Sequence, residues 1–325
     1  MISQSQHVIS RFAPSPTGRM HLGNIFTALV SWLVAKKYGG KWLLRIEDLD
    51  PQRSRIEYAR QIEDDLHWLG LQWDEGGIEG SDAGAPYIQS LRSDFYNEAL
   101  AALTEKGLTY PCYCTKADIA ATNAPHASDG RIIYPGTCRD NPPANPSRPP
   151  AVRLRMPDLK VEYEDMVFGK FKTDMAAQWG DIVLRRADGA WAYQLAVVVD
   201  DAAMGVTHVV RGVDLLDSCA PQSLIADMLG VSVPQYIHLP LICNSDGIRL
   251  SKRDSSLAMD ALRTCFTPRQ VIGLLASVAG IMEKPGEISP NELIDVFDIS
   301  RLPRKDKIII DLCNRKNFGT AITGK

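Results

Sequence analysis

Residues 8–24 read V-I-S-R-F-A-P-S-P-T-G-R-M-H-L-G-N, and the order of elements around this stretch decides the fold class. Val8 to Phe12 is an apolar run of strand length, broken by Pro14, Pro16 and Gly18. Beyond the turn, apolar residues recur at 25, 26, 29, 30, 33 and 34, the spacing of a helix. Gly39 and Gly40 end that helix, and Lys41 to Glu47 (K-W-L-L-R-I-E) reads as a second strand. Ser54-x-x-Glu57 then reads as a capping box opening a helix that runs to about Leu69. A β-α-β-α start places the chain in the α/β class.

Further along, a helix from about Leu91 ends at Gly107, and irregular sequence with seven prolines between 121 and 150 comes next. Ile182 to Arg186 and Trp191 to Val199 flank Asp188-Gly189, which predicts a hairpin. Thr207 to Arg211 is a further strand leading to a helix at 221–229, and Tyr236 to Arg249 holds an apolar stretch and the turn N-S-D-G. Apolar positions at 271, 272, 274, 275 and 278 predict helix again. The expectation is a Rossmann-like parallel sheet: first half at 1–107, an insertion at 108–181, second half at 182–246, and a helical connecting region at 247–325.

Composition narrows the function. At 325 residues and 45% hydrophobic the chain buries a sizeable core, and no apolar run approaches the ~18 residues that span a bilayer. No membrane partner and a cytoplasmic location are therefore expected. Seven scattered cysteines argue against a disulfide framework. A net charge of −3 gives no global basic field for nucleic acid, so RNA contact must rest on local patches such as residues 301–325, with seven Lys/Arg against two Asp. No Ser-His-Asp arrangement, H-E-x-x-H or redox C-x-x-C suggests hydrolase, metalloprotease or thiol chemistry.

A glycine-bearing turn at a helix N-terminus lets backbone N–H groups approach a phosphate. Gly18 and Gly23 bracket such a turn, which has neither the G-x-G-x-x-G pattern of dinucleotide binding nor the ending of a P-loop. His21 adds a side-chain donor there. Arg11 and Arg211 at strand ends suit carboxylates and Glu47 suits an ammonium, at the sheet edge where open α/β folds bind ligands. Asp200 and Asp201, after V-V-V, read as a strand-end pair.

Together, R-F-A-P-S-P-T-G at 11–18, H-L-G-N at 21–24, L-R-I-E-D at 44–48 and R-L-S-K-R at 249–253 resemble the glutamyl-tRNA synthetase family over residues 8–280. That family writes its signatures H-I-G-H and K-M-S-K-S; Asn24 and the R-L-S-K-R loop are departures usual in the glutamate branch. The resemblance implies that Arg11 and Ser15 contact L-glutamate, that Glu47 takes its ammonium, and that Tyr193 and Arg211 complete the pocket. It also implies that Pro14, Gly18, His21, Gly23, Asn24, Arg249 and Lys252 bind ATP, accompanied by Mg2+. His21 and Lys252 would act on the leaving pyrophosphate.

Cys112-Tyr113-Cys114 and Cys138 lie in the insertion, where a structural zinc (Zn2+) would supply stability that few apolar residues can. The fourth ligand must come from Tyr134, His126 or a nearby Asp; zinc chemistry favours His or Asp over a phenol. The resemblance favours Tyr134 first and His126 second, because C-x-C followed by Y-x-x-x-C is the pattern of a truncated branch of the family. Only about 70 residues follow Arg253, which leaves no room for an anticodon-binding domain. That branch activates glutamate without tRNA and transfers it to queuosine at the wobble position of tRNA(Asp). The alternatives are a short enzyme charging the 3′ end of tRNA(Glu), and a non-catalytic zinc-containing RNA-binding paralogue.

Overall fold

A computed structural model describes residues 7–82, 86–120, 132–248 and 258–310. The chain opens with β1 (Ile9–Phe12), α1 (Leu22–Lys37), β2 (Lys41–Leu44), α2 (Ile56–Leu69), β3 (Glu75–Gly76) and α3 (Ser93–Glu105). Residues 108–181 hold β4 (Thr109–Cys112), α4 (Lys116–Ala120), β5 (Ala151–Leu154), β6 (Lys160–Asp165), β7 (Gly169–Asp174) and α5 (Met175–Gln178). Then come β8 (Val183–Arg185), α6 (Tyr193–Ala203), β9 (His208–Gly212), α7 (Cys219–Leu229), β10 (Gln235–Leu239) and β11 (Leu241–Cys243). Past the second gap lie α8 (Met259–Cys265), α9 (Pro268–Val278), α10 (Pro290–Ile294) and β12 (Lys307–Ile309).

The main sheet has the order β3-β2-β1-β9-β10-β6-β7. It is parallel except at its edge, where β6 and β7 form an antiparallel hairpin. The expectation of a parallel sheet therefore becomes a mixed one, because the β6-β7 hairpin, from within residues 108–181, completes the sheet. Both faces are covered: Trp42, Val210 and Ile237 join the core built on α1, while Leu43, Val209 and Tyr236 pack with Cys219 of α7. Successive strand residues pointing to opposite faces give this division. A third packing centre joins Tyr96, Leu195, Ile225, Leu154 and Leu184, so α3, α6 and α7 meet the three-stranded antiparallel sheet β4-β5-β8.

Two local expectations are overturned. Ser54 does not cap α2: the cap is Arg55, which makes no side-chain capping bond, and Ser54 Oγ is buried without a partner. The Arg55 N–H instead donates to the Pro16 carbonyl at 2.9 Å, so the helix entry is tied to the turn after β1. The hairpin at 182–199 forms only its turn. Arg186 N–H bonds the Ala190 carbonyl and Arg185 bridges Trp191, but Tyr193–Ala203 is a helix. A buried apolar run carries no periodicity that separates strand from helix, and packing between α3 and α7 overrides the β preference of the valines. The segment after Gly107 also carries more regular structure than its prolines suggested, and Lys307–Ile309 pairs in parallel with β11 as a strand.

The crossing from α1 into β2 needs its glycines. Gly39 has φ of +64°, and a Cβ on Gly40 would lie 2.0 Å from the Val8 carbonyl oxygen. Among the described residues no helix is long and apolar enough to cross a membrane.

Candidate functional site

β1 is flanked by β2 on one side and β9 on the other, so the direction of chain progression reverses between β1 and β9. A cleft opens at that point, at the carboxyl ends of the strands, as the topology of an open sheet dictates. Arg11 pairs in register with Val209, two residues before Arg211, so both guanidinium groups leave the same face of the sheet. The cleft wall carries these two arginines with Glu47 and Tyr193. Pro14, Ser15 and Gly18 line it from the turn, and His21, Gly23 and Asn24 from the start of α1. Ten residues drawn from four separate stretches of sequence thus meet in one cavity. Arg249 and Lys252 lie outside the described residues, as do His126 and most of the basic C-terminal stretch.

His21 caps α1. Its Nδ1 accepts from Gly23 N–H at 3.1 Å, and its backbone N–H donates to Asn24 Oδ1 at 3.1 Å, a reciprocal capping box. With the Nδ1 lone pair engaged, the ring proton of the neutral imidazole sits on Nε2. Ala258, the first described residue after 249–257, bridges His21, and Met259 N–H donates to the Met20 carbonyl at 3.0 Å. The chain therefore returns to the turn directly after residues 249–257. Arg19 adds a side-chain tie, reaching Asp260 at 2.8 Å and Asp65 at 3.4 Å.

Beneath the cleft the charges are paired. Asp201 accepts from Arg11 Nε at 3.1 Å and Arg45 Nη1 at 2.6 Å, and Arg45 Nη2 donates to Glu47 at 3.0 Å. Burial pushes the Glu47 carboxyl above the usual carboxylate range, only partly offset by Arg45 and Arg11. Asp201 is driven up by burial too, but Arg11 and Arg45 outweigh that and hold it low. Asp200 is shared by Arg92 at 2.6 Å, Gln89 and Tyr96. The two acids expected at a strand end are thus helix residues, each serving as a counterion.

Arg211 differs. It is 5% exposed, and its bonds go to His238 Nε2 at 2.9 Å, Gln222 Oε1 at 2.8 Å and Cys219 Sγ at 3.2 Å. Among the described residues no carboxylate lies within ion-pair distance of it. A buried guanidinium without a counterion is costly, and a carboxylate entering the cleft would supply one.

A second constellation lies in the insertion. The sulfurs of Cys112, Cys114 and Cys138 lie within 4.8 Å of one another. The Tyr134 hydroxyl is 3.3 Å from Cys112 Sγ and 3.4 Å from Cys114 Sγ. Three soft donors converging with a fourth oxygen match the size of a tetrahedral metal site, so the cluster could hold a metal ion. Cys112 closes β4, a parallel bridge to Gly180 places the Tyr134 backbone, and the Arg153 guanidinium stacks 3.7 Å from the Tyr134 ring centroid.

The family model for class I tRNA synthetases (E and Q), catalytic domain, matches residues 7–306. Glutamyl-Q tRNA(Asp) synthetase of Symbiobacterium thermophilum is 47% identical, over 91% of this chain and 94% of its own. The protein of that name from Nitratidesulfovibrio vulgaris is 44% identical, over 96% and 98%. The chain belongs to the class I tRNA synthetases (E and Q), in the glutamyl-Q tRNA(Asp) synthetase branch. As such it is an enzyme of the ligase type.

Solved members of the class share its fold. A glutamate tRNA ligase from Elizabethkingia meningosepticum, in complex with its amino acid, superposes with a TM-score of 0.80 at 29% identity. The glutamate-tRNA synthetase of Elizabethkingia anophelis gives 0.82 at 29%. This chain spans 66% and 70% of the length of those two. Beneath the cleft, Arg45, Asp165 and His238 are the residues to which sequence reasoning gave no role, and Asp201 was read there only as a strand end. An arginine inside an apolar strand (L-L-R-I) and a histidine inside Y-I-H-L-P each signal a buried polar group that needs a partner, but not which partner.

Proposed function

We propose that this enzyme joins glutamate to ATP without tRNA, forming glutamyl-adenylate and releasing pyrophosphate, and then transfers the glutamyl group to queuosine at the wobble position of tRNA(Asp), releasing AMP. The observation that carries the glutamate assignment is Arg211, a buried cation in the cleft wall with only neutral partners. The side-chain carboxylate of glutamate completes it with a charge-assisted pair, and glutamine, which brings no charge, does not. Glu47 takes the ammonium, with Arg11, Ser15 and Tyr193 closing the pocket.

In the first step an α-carboxylate oxygen attacks the α-phosphorus, one P–O bond forms and the bond to pyrophosphate breaks. Positioning and charge stabilisation are the whole task, so no protein nucleophile is needed. Pro14, Gly18, Gly23 and Asn24 shape the ATP path, Arg249 adds a cation, and His21 Nε2–H and the Lys252 ammonium offset charge on the leaving pyrophosphate. Mg2+ accompanies the phosphates. Cys112, Cys114, Cys138 and Tyr134 would hold one structural zinc, which would tie residues 134–138 to the end of β4.

The queuosine acceptor rests on the names of relatives that match the chain nearly end to end. Two measurements test the proposal. Glutamate-dependent pyrophosphate exchange in the absence of tRNA is expected, and its absence refutes the adenylate step. Labelled glutamate is expected on tRNA(Asp) carrying queuosine; equal labelling of queuosine-free tRNA(Asp), or labelling of tRNA(Glu) instead, refutes the acceptor.

A further inference from the structure

Arg211 stands at the head of a chain of polar groups that crosses three adjacent strands. Its in-register partner across β9 and β10 is His238, and Asp165 at the end of β6 pairs with Tyr236 two residues before it. Because a guanidinium only donates, His238 Nε2 must present its lone pair, which puts the ring proton on Nδ1. That proton faces Asp165 Oδ2 at 2.7 Å. Asp165 also accepts the backbone N–H groups of His238, Val167 and Phe168 at 3.0, 2.9 and 2.8 Å. The carboxylate is thereby fixed by four donors, and His238 has one possible tautomer.

The remaining neighbours of Arg211 are neutral. Burial pushes the Cys219 thiol up to about 11, with Arg211 opposing, and burial lowers His238 from its ordinary value, so neither carries charge near neutral pH. Gln222 is held in turn by Gln194, whose amide donates to Ser218 Oγ. Three of the five N–H groups of Arg211 are committed to neutral acceptors, leaving two for a ligand. Arg11 shows the other arrangement, a direct pair with Asp201 that spends its charge inside the protein.

We propose that His238 and Asp165 are positioning residues for Arg211: His238 fixes the Nε edge of the guanidinium while keeping the Asp165 carboxylate one side chain away. The orientation of a direct ion pair is retained, but the positive charge is left for the carboxylate of the substrate. Selection of a carboxylate over an amide in this pocket thus depends on a strand contributed by the insertion. The inference rests on the assignment of Arg211 to the glutamate side chain.

The test uses the full chain and three readouts: KM for glutamate and KM for ATP in pyrophosphate exchange, and equilibrium ATP binding as a check of the fold. Asp165→Asn is expected to raise KM for glutamate about tenfold with KM for ATP within about twofold, since an interaction made in ground and transition states alike appears in KM. His238→Ala is expected to raise it more, about a hundredfold, and His238→Gln less than His238→Ala, because the glutamine oxygen can still accept from Nε. An unchanged KM for glutamate in Asp165→Asn and His238→Ala overturns the inference, as does a parallel rise in both KM values in the two His238 variants. Arg211→Ala separates the two layers. If it leaves KM for glutamate unchanged, the reading of the pocket fails; if it raises KM while the Asp165 and His238 variants do not, only the positioning role fails.

Discussion

At the residue scale, Gly23 shows how tightly the turn is built. A Cβ there would lie 3.1 Å from both Nδ1 and Cε1 of the His21 ring, closer than side chains normally approach. Alanine would add roughly 1 kcal/mol of helix propensity over glycine. Disturbing the His21 cap costs about the same. Gly23→Ala is therefore expected to leave thermal stability nearly unchanged while lowering kcat/KM for ATP at least tenfold, by about 1.4 kcal/mol or more of transition-state stabilisation. Unfolding curves set beside ATP-dependent exchange rates check this; loss of stability with retained activity contradicts it. The glycine was legible in the sequence as part of a turn. That it faces the histidine ring needed coordinates.

At the element scale, α2 and α8 are clamped together through Asp65. Its Oδ1 accepts from Arg19 at 3.4 Å and from Arg263 at 2.9 Å, while its Oδ2 is buried without a partner. Arg263 also pairs with Asp64. Burial raises the Asp65 pKa to about 6, a rise that the two arginines only partly offset. An unfolded aspartate titrates near ~3.9. Between those values the folded chain holds the proton more tightly than the unfolded one, so stability falls as pH rises through this window. The expected fall is on the order of 3 kcal/mol across it, and Asp65→Asn is expected to remove it. Urea unfolding of both proteins at a series of pH values decides; parallel profiles sink the assignment.

The insertion gives a second prediction at this scale. Cys138→Ser is expected to abolish stoichiometric metal binding and to raise protease cleavage within the insertion, because a site's binding energy there is also folding energy. Tyr134→Phe is expected to lower zinc retention at low free metal, and undiminished zinc in that variant removes Tyr134 from the site. The thiol cluster was legible from C-x-C in a proline-rich stretch. The phenol was one of several candidate fourth ligands that family resemblance ranked first, and its 3.3 and 3.4 Å approaches to two sulfurs come from packing.

For the whole molecule, the cleft floor depends on chain distant from the signature turn. Leu241 and Ile242 line the cleft, and β11, which carries them, pairs with β12 near the far end of the chain. Ile310, 1% exposed, closes that contact. Ending the chain before Lys307 is expected to cost on the order of 3 kcal/mol, the worth of a buried isoleucine and its strand pairing, and to raise KM for ATP. Chemical unfolding and exchange kinetics of the shortened chain test this; unchanged values for both show β12 to be dispensable.

The sequence by itself determined the α/β class, the strand-turn-helix opening and ten of the residues that line the cleft. These depend on local turn chemistry and periodicity, and on residue types that suit phosphate, ammonium and carboxylate. It mistook Trp191 to Val199 for a strand and read Asp200 and Asp201 as a strand end, because a wholly buried apolar run has no face to reveal its period. Only the tertiary structure decided how the charges are shared: Asp201 between Arg11 and Arg45, and Arg211 left with neutral partners and an aspartate one side chain away. Coulombic pairing depends on distance through space, and the strands that bring Asp165, His238 and Arg211 side by side stand far apart in sequence.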